Sequence, residues 1–101
     1  MGMNRIKKSD SPLMKQYKRW ARSLLKVNPS YVTCPDNIVD YVKGPNWDEP
    51  HWEYAHYKDR ISCYGKELLA EFEKMRALPQ NEACDVYRAM MKEAGVEETN
   101  G

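Results

Sequence analysis

Residues 12–27 read PLMKQYKRWARSLLKV, and this stretch has the clearest helical periodicity in the chain. At 100° per residue, its apolar side chains fall within an arc of about 140° and its cations within about 100° on the opposite side. The apolar group is Leu13, Met14, Tyr17, Trp20, Ala21, Leu24 and Leu25, and the cationic group is Lys15, Lys18, Arg19, Arg22 and Lys26. Ser11 is a suitable N-cap, Pro12 suits the first helical position, and Asn28-Pro29 disfavours continuation. The sequence therefore predicts an amphipathic helix from about Pro12 to Val27.

The longest apolar pattern lies between Asp48, a second candidate N-cap, and Pro79. Its apolar side chains recur three, four or seven residues apart and lie within about 80° of one another. They are Tyr54, Tyr57, Ile61, Tyr64, Leu68, Phe72 and Met75. This predicts one helix over about 49–78, roughly 45 Å long, as the spine of the fold. Gly65 lies on the same apolar face, where we expect either the close approach of a neighbouring helix or a kink.

Two shorter segments complete the pattern. Asn81 as a cap and Gly95 as a C′ residue predict a helix over 81–94. Residues 31–43 support two interpretations. Thr33 followed by Asp36 is typical of a helix start and favours a short helix over 35–43. The β-branched and aromatic residues of the same segment leave a hairpin at about 31–42 as the alternative.

These elements predict an all-α fold for the 101 residues, a single domain of three main helices and one short helix. The alternative is an α+β fold with the hairpin at 31–42. We expect residues 1–10 to be a flexible basic segment, residues 11–95 to be one helical domain, and residues 96–101 to be a disordered tail. We expect the apolar stripe of the long helix to form the core, together with Trp20, Leu24, Val86 and Met90.

The net charge of +1 conceals an uneven distribution. Residues 1–30 hold eight basic side chains and only Asp10 as an acidic one, whereas residues 31–101 hold eight basic and fourteen acidic side chains. The basic part could meet an acidic protein, a nucleic acid or an anionic membrane surface. It could also be a solvated helix face, or pair within the chain with Glu67, Glu71 and Glu73.

The sequence argues against several classes of function. It contains no zinc-finger, nucleophile-elbow, phosphate-loop or dinucleotide-binding motif. His51 and His56 are five residues apart, so they lie on different sides of a helix and do not suit a zinc site. No apolar run approaches the roughly 18 residues of a membrane-spanning helix. We therefore expect a soluble protein that is not an enzyme and uses no cofactor or metal.

The three cysteines, Cys34, Cys63 and Cys84, are odd in number and form no C-x-x-C pair. This favours free thiols and an intracellular, reducing compartment, with the cytoplasm expected first. The basic amphipathic N-terminal region leaves the mitochondrial matrix as the alternative.

The leading functional hypothesis is a small helical adapter that binds another protein, within a larger assembly or outside one. The basic residues Lys15, Lys18, Arg19, Arg22 and Lys26 would meet acidic surface on that partner. The aromatic residues Trp47 and Trp52, at the start of the predicted long helix, would anchor the interface because tryptophan often dominates binding energy. The alternative hypothesis is a nucleic-acid-binding protein that uses the same five cations.

Overall fold

The computed structural model describes residues 3–44 and 58–99, and these residues contain helices and no strands. The helices are α1 (Pro12–Leu25), α2 (Ser30–Thr33), α3 (Pro35–Lys43), α4 (58–62 within the described residues), α5 (Lys66–Ala77) and α6 (Gln80–Ala94). The predicted all-α class is confirmed. The hairpin alternative is wrong, because residues 31–42 lie in α2 and α3. The prediction of three main helices plus a short one is also wrong, because the described residues form six helices, four of them with seven or more residues.

Helix α1 begins where its sequence predicts. The Ser11 hydroxyl accepts a hydrogen bond from the Met14 amide at 3.1 Å, and Pro12 occupies the first helical position. The helix ends at Leu25, two residues earlier than expected. The Leu24 carbonyl accepts from both the Val27 and the Asn28 amides, which tightens the last turn before the chain continues into α2.

The predicted single helix over 49–78 is wrong at residues 63–65, where the chain makes a turn between α4 and α5. Gly65 has φ of +149°, a conformation that favours glycine, and a Cβ there would overlap the side-chain amide of Gln16. That amide comes from α1 and caps α5: Gln16 Oε1 accepts from the Leu68 amide at 2.9 Å and Gln16 Nε2 donates to Glu67 at 2.7 Å. Gly65 thus permits both the close approach and the break. Residues 49–57 of the prediction lie outside the described residues.

Helix α6 starts at Gln80, directly after Pro79, rather than after a cap at Asn81. Its C-terminus follows the prediction, since Gly95 is left-handed with φ of 77°. The Gly95 amide donates to Lys92 and the Val96 amide donates to Met91, the pair of hydrogen bonds expected of a Schellman motif. Val96 is buried beside Met91.

The core lies where α1, α3, α5 and α6 meet. Of the predicted core residues, Trp20, Ile61, Leu68, Phe72, Met75 and Met90 are buried. Leu24, Tyr64 and Val86 are half-buried at its margin, and Tyr54 and Tyr57 lie outside the described residues. The radius of gyration, 12.9 Å, is close to the roughly 13 Å of a compact domain of about 100 residues.

The two ends of the described chain contact the helices. The Asn4 amide donates to the Ala94 carbonyl at 2.7 Å, and the Thr99 amide donates to the Thr33 carbonyl at 2.9 Å. These contacts fall within the segments predicted to be a flexible N-terminal region and a disordered tail.

Candidate functional site

The predicted basic site lies on α1, but its five cations are not equivalent. Arg19, Arg22 and Lys26 are exposed, Lys15 is half-buried and Lys18 is buried. We call Arg19, Arg22 and Lys26 the basic face. None of these three makes an ion pair within residues 3–44 and 58–99. The basic face is therefore the part of the predicted site that can meet an external anion.

Lys18 differs from the expectation of a solvated cation, because its side chain is 2% exposed. Its ammonium donates to Asp10 Oδ2 and to the Arg5 carbonyl, both at 2.8 Å. The hydrogen bond from Lys18, followed by that from the Lys7 amide, holds the pKa of Asp10 below its ordinary value. Lys18 therefore ties the N-terminal segment to α1 and does not contribute to the basic face.

The suggested intramolecular partners of the basic residues have other contacts in the structure. Glu67 accepts from Gln16, and this hydrogen bond is the main reason that the pKa of Glu67 is lowered. Glu71 lies 3.9 Å from the Lys74 ammonium, and Glu73 lies 3.7 Å from that of Lys58. In the described part of the chain, these three glutamates do not neutralise the basic face.

A groove of about 620 Å³ opens beside the C-terminal half of α1. Its surface is mostly apolar, with Ile38 and Ile61 buried beneath it. Val27 lines it with 77% of its surface exposed, and no other large apolar residue among the described ones is so open to solvent. Arg60 of α4 is the only charged residue in the described lining. We call this feature the tyrosine groove, after Tyr31, Tyr41 and Tyr64 in its wall.

Hydrogen bonds and ring contacts fix the walls of the tyrosine groove. The hydroxyls of Ser23 on α1 and Tyr64 are 3.0 Å apart and share a hydrogen bond, which joins α1 to the turn before α5. The rings of Tyr31 and Tyr41 pack together with their centroids 5.6 Å apart. The hydroxyls of Ser23 and Tyr64 thus have a hydrogen-bond partner within the chain, while the floor of the groove is apolar.

The basic face and the tyrosine groove are neighbours on α1. At 100° per residue, Arg19 lies about 40° and Lys26 about 60° around the helix from Ser23, which lines the groove. Arg22 lines a smaller hollow with Lys26 on the far side of the basic face. Arg19 and Lys26 therefore lie beside the part of α1 that lines the groove, and Arg60 of α4 lines the groove itself.

The other predicted site residues are Trp47 and Trp52, and both lie outside the described residues. The same is true of His51 and His56. The tyrosine groove is not apparent from the periodicity of the sequence. Its available signal was the abundance of tyrosine, seven residues against one phenylalanine, because tyrosine suits the margin of a core and an interface.

The three thiols occupy different environments. Cys34 and Cys84 are buried and Cys63 is exposed at the groove. Burial, followed by the hydrogen bond to Asp36 at 3.2 Å, raises the pKa of Cys84 to about 12. A thiol with so high a pKa is a poor nucleophile near neutral pH.

Comparisons with known proteins add no relationship. No protein-family model matches the chain, and neither the curated proteins nor the solved structures provide a match.

Within residues 3–44 and 58–99, no helix is long and apolar enough to cross a membrane. In the same ranges, no group of three or more His, Cys, Asp or Glu side chains is arranged to hold a metal ion.

Proposed function

We propose that this protein is a non-enzymatic interaction protein that binds acidic surface on a partner protein through its basic face. The observation that carries the proposal is the exposure of Arg19, Arg22 and Lys26 beside an apolar groove, without ion pairs in the described part of the chain. Exposed cations steer an acidic partner and set its orientation, while adjacent apolar surface supplies binding energy.

A nucleic acid is the second candidate, because the same three cations could contact phosphates. Single-stranded nucleic acids also need aromatic faces on which bases stack. Trp20, the aromatic residue closest in sequence to the basic face, is 4% exposed and packs edge-on against Phe72. The inward position of this ring favours a protein partner. Trp47 and Trp52 remain the proposed anchors of the same interface.

The proposal is tested by affinity capture with charge-reversed variants. Arg19→Glu/Arg22→Glu removes two cations of the basic face. Lys74→Glu/Lys92→Glu changes the net charge by the same amount on α5 and α6. We expect a specific partner to be captured by the wild type and the control variant and lost from the first variant. Capture of the same partners by all three proteins contradicts the proposal.

Nucleic-acid binding is tested with the same proteins on a generic duplex and a single strand at about 50 and 200 mM salt. Tight binding that falls steeply with salt and is lost in Arg19→Glu/Arg22→Glu favours the second candidate. Trp47→Ala/Trp52→Ala, studied by capture, tests the anchor. If this variant retains every partner, the anchor hypothesis is wrong.

A further inference from the structure

We infer that the tyrosine groove receives an apolar side chain from an acidic segment of the partner protein. This inference rests on the proposed function and adds the chemistry of the ligand. The groove has an apolar floor and an exposed apolar edge at Val27. An aliphatic or aromatic side chain placed there would cover Val27 and displace water from the floor.

The charges around the groove specify the segment that carries this side chain. Arg60 lines the groove, and Arg19 and Lys26 lie about 40° and 60° around α1 from Ser23, which also lines it. No acidic residue occurs among the described lining residues. Carboxylates that flank the apolar side chain would therefore meet Arg60 in the groove and the nearby cations of α1. A segment with flanking lysines would meet like charges instead, so the groove discriminates against it.

The groove suits an amino-acid side chain better than a nucleic-acid base. Tyr31 and Tyr41 pack against each other, and the Tyr64 hydroxyl is bonded to Ser23. Base stacking requires an accessible aromatic face. We therefore assign the groove to a protein segment.

The test uses three short labelled peptides of defined composition. The first has a central Leu-Trp-Leu between glutamate flanks, the second replaces this centre with three serines, and the third keeps the Leu-Trp-Leu centre between lysine flanks. Binding is measured by fluorescence anisotropy. We expect the first peptide to bind at least about tenfold more tightly than either of the others. Amide resonances of Val27, Asn28 and Tyr31 should shift on titration.

Matched variants separate the groove from general charge. Val27→Ser removes apolar surface without changing charge or a buried contact, and Ala89→Ser is the control on the exposed side of α6. We expect Val27→Ser to remove most of the preference for the Leu-Trp-Leu centre and Ala89→Ser to leave it unchanged. Arg60→Gln should weaken both acidic peptides, because it removes a cation from the groove wall.

The outcomes distinguish the inference from the function on which it rests. If the two acidic peptides bind equally well and Arg19→Glu/Arg22→Glu binds neither, the groove assignment is wrong. The basic face is then the binding surface. If no acidic peptide binds, and Arg19→Glu/Arg22→Glu captures the same partners as the wild type, both the groove assignment and the proposed function are wrong. If the Leu-Trp-Leu peptide binds to the Trp47→Ala/Trp52→Ala variant but not to the wild type, the groove is assigned to the chain's own segment that contains these two tryptophans. Stronger shifts of the groove resonances by a single-stranded oligonucleotide would assign it to nucleic acid.

Discussion

The strongest stability prediction concerns two tyrosines in the core. Tyr17 of α1 and Tyr87 of α6 have no exposed surface. The Tyr17 hydroxyl donates to the Tyr87 hydroxyl at 3.0 Å, and Tyr87 in turn donates to the Val32 carbonyl at 2.7 Å. This chain of hydrogen bonds has a direction, so its two hydroxyls contribute unequally. We predict that Tyr87→Phe destabilises the protein more than Tyr17→Phe.

The magnitudes follow from the groups left without partners. Tyr17→Phe removes one hydrogen bond while Tyr87 continues to donate to Val32, so we expect a loss of about 1 kcal/mol. Tyr87→Phe leaves the Tyr17 hydroxyl and the Val32 carbonyl both without this partner in the core. At about 1–3 kcal/mol for each buried unsatisfied group, we expect a loss of about 3 kcal/mol. The double variant Tyr17→Phe/Tyr87→Phe leaves only the Val32 carbonyl without a partner. Its free energy of unfolding should fall by about 2 kcal/mol, less than that of Tyr87→Phe alone.

Urea denaturation followed by circular dichroism measures these differences. A gap of about 2 kcal/mol between the single variants corresponds to a midpoint difference of about 1 M at an ordinary m-value. Tyr64→Phe, which removes a hydroxyl near the surface, is the control and should change the stability by less than about 0.5 kcal/mol. Equal losses in the two single variants, or losses that add in the double variant, would refute the directed chain.

The buried tyrosines, the cysteines and Gly95 each occupy an environment with a measurable consequence. Burial raises the pKa of Tyr17 and Tyr87 above the ordinary value of 10, so the unfolded chain loses these protons first as the pH rises. The free energy of unfolding should therefore decline above about pH 10 in urea titrations, and less steeply in Tyr17→Phe. A disulfide reagent at about pH 8 should modify exposed Cys63 rapidly and Cys84 only when the protein unfolds, because burial and Asp36 raise the pKa of Cys84. A Cys63→Ser variant that keeps the fast phase would contradict this assignment. Gly95→Ala should cost at least about 1 kcal/mol in thermal or urea unfolding because φ is 77°, and Gly95→Asn should cost less.

The accuracy of the fold prediction depends on whether the deciding interaction is local. The Ser11 cap and the Gly95 stop are set by neighbouring residues, and both are confirmed. The break at Gly65 depends on Gln16, which lies 49 positions earlier in the sequence and supplies the hydrogen bonds that begin α5. Periodicity continues across residues 63–65 because both helices turn their apolar residues toward the same core. The apolar periodicity alone therefore predicts one helix where the structure has α4 and α5.

The same distinction applies to the candidate site. The helical wheel correctly separated the cations of α1 from its apolar residues, but it could not show that the segment before the helix covers Lys18. Asp10 is the only acidic residue among the first 30, and it lies beside the one cation that is buried. Burial of a lysine requires a partner for its charge. Among the five predicted cations of the site, Lys18 is the one that contacts Asp10 and the Arg5 carbonyl, which allows it to be buried. The tyrosine groove has the same kind of origin, since its lining comes from α1, the residues around α2 and α3, α4, and the turn before α5. A surface assembled from separate segments has no period in the sequence, whereas the basic face lies on one helix and could be predicted from its spacing.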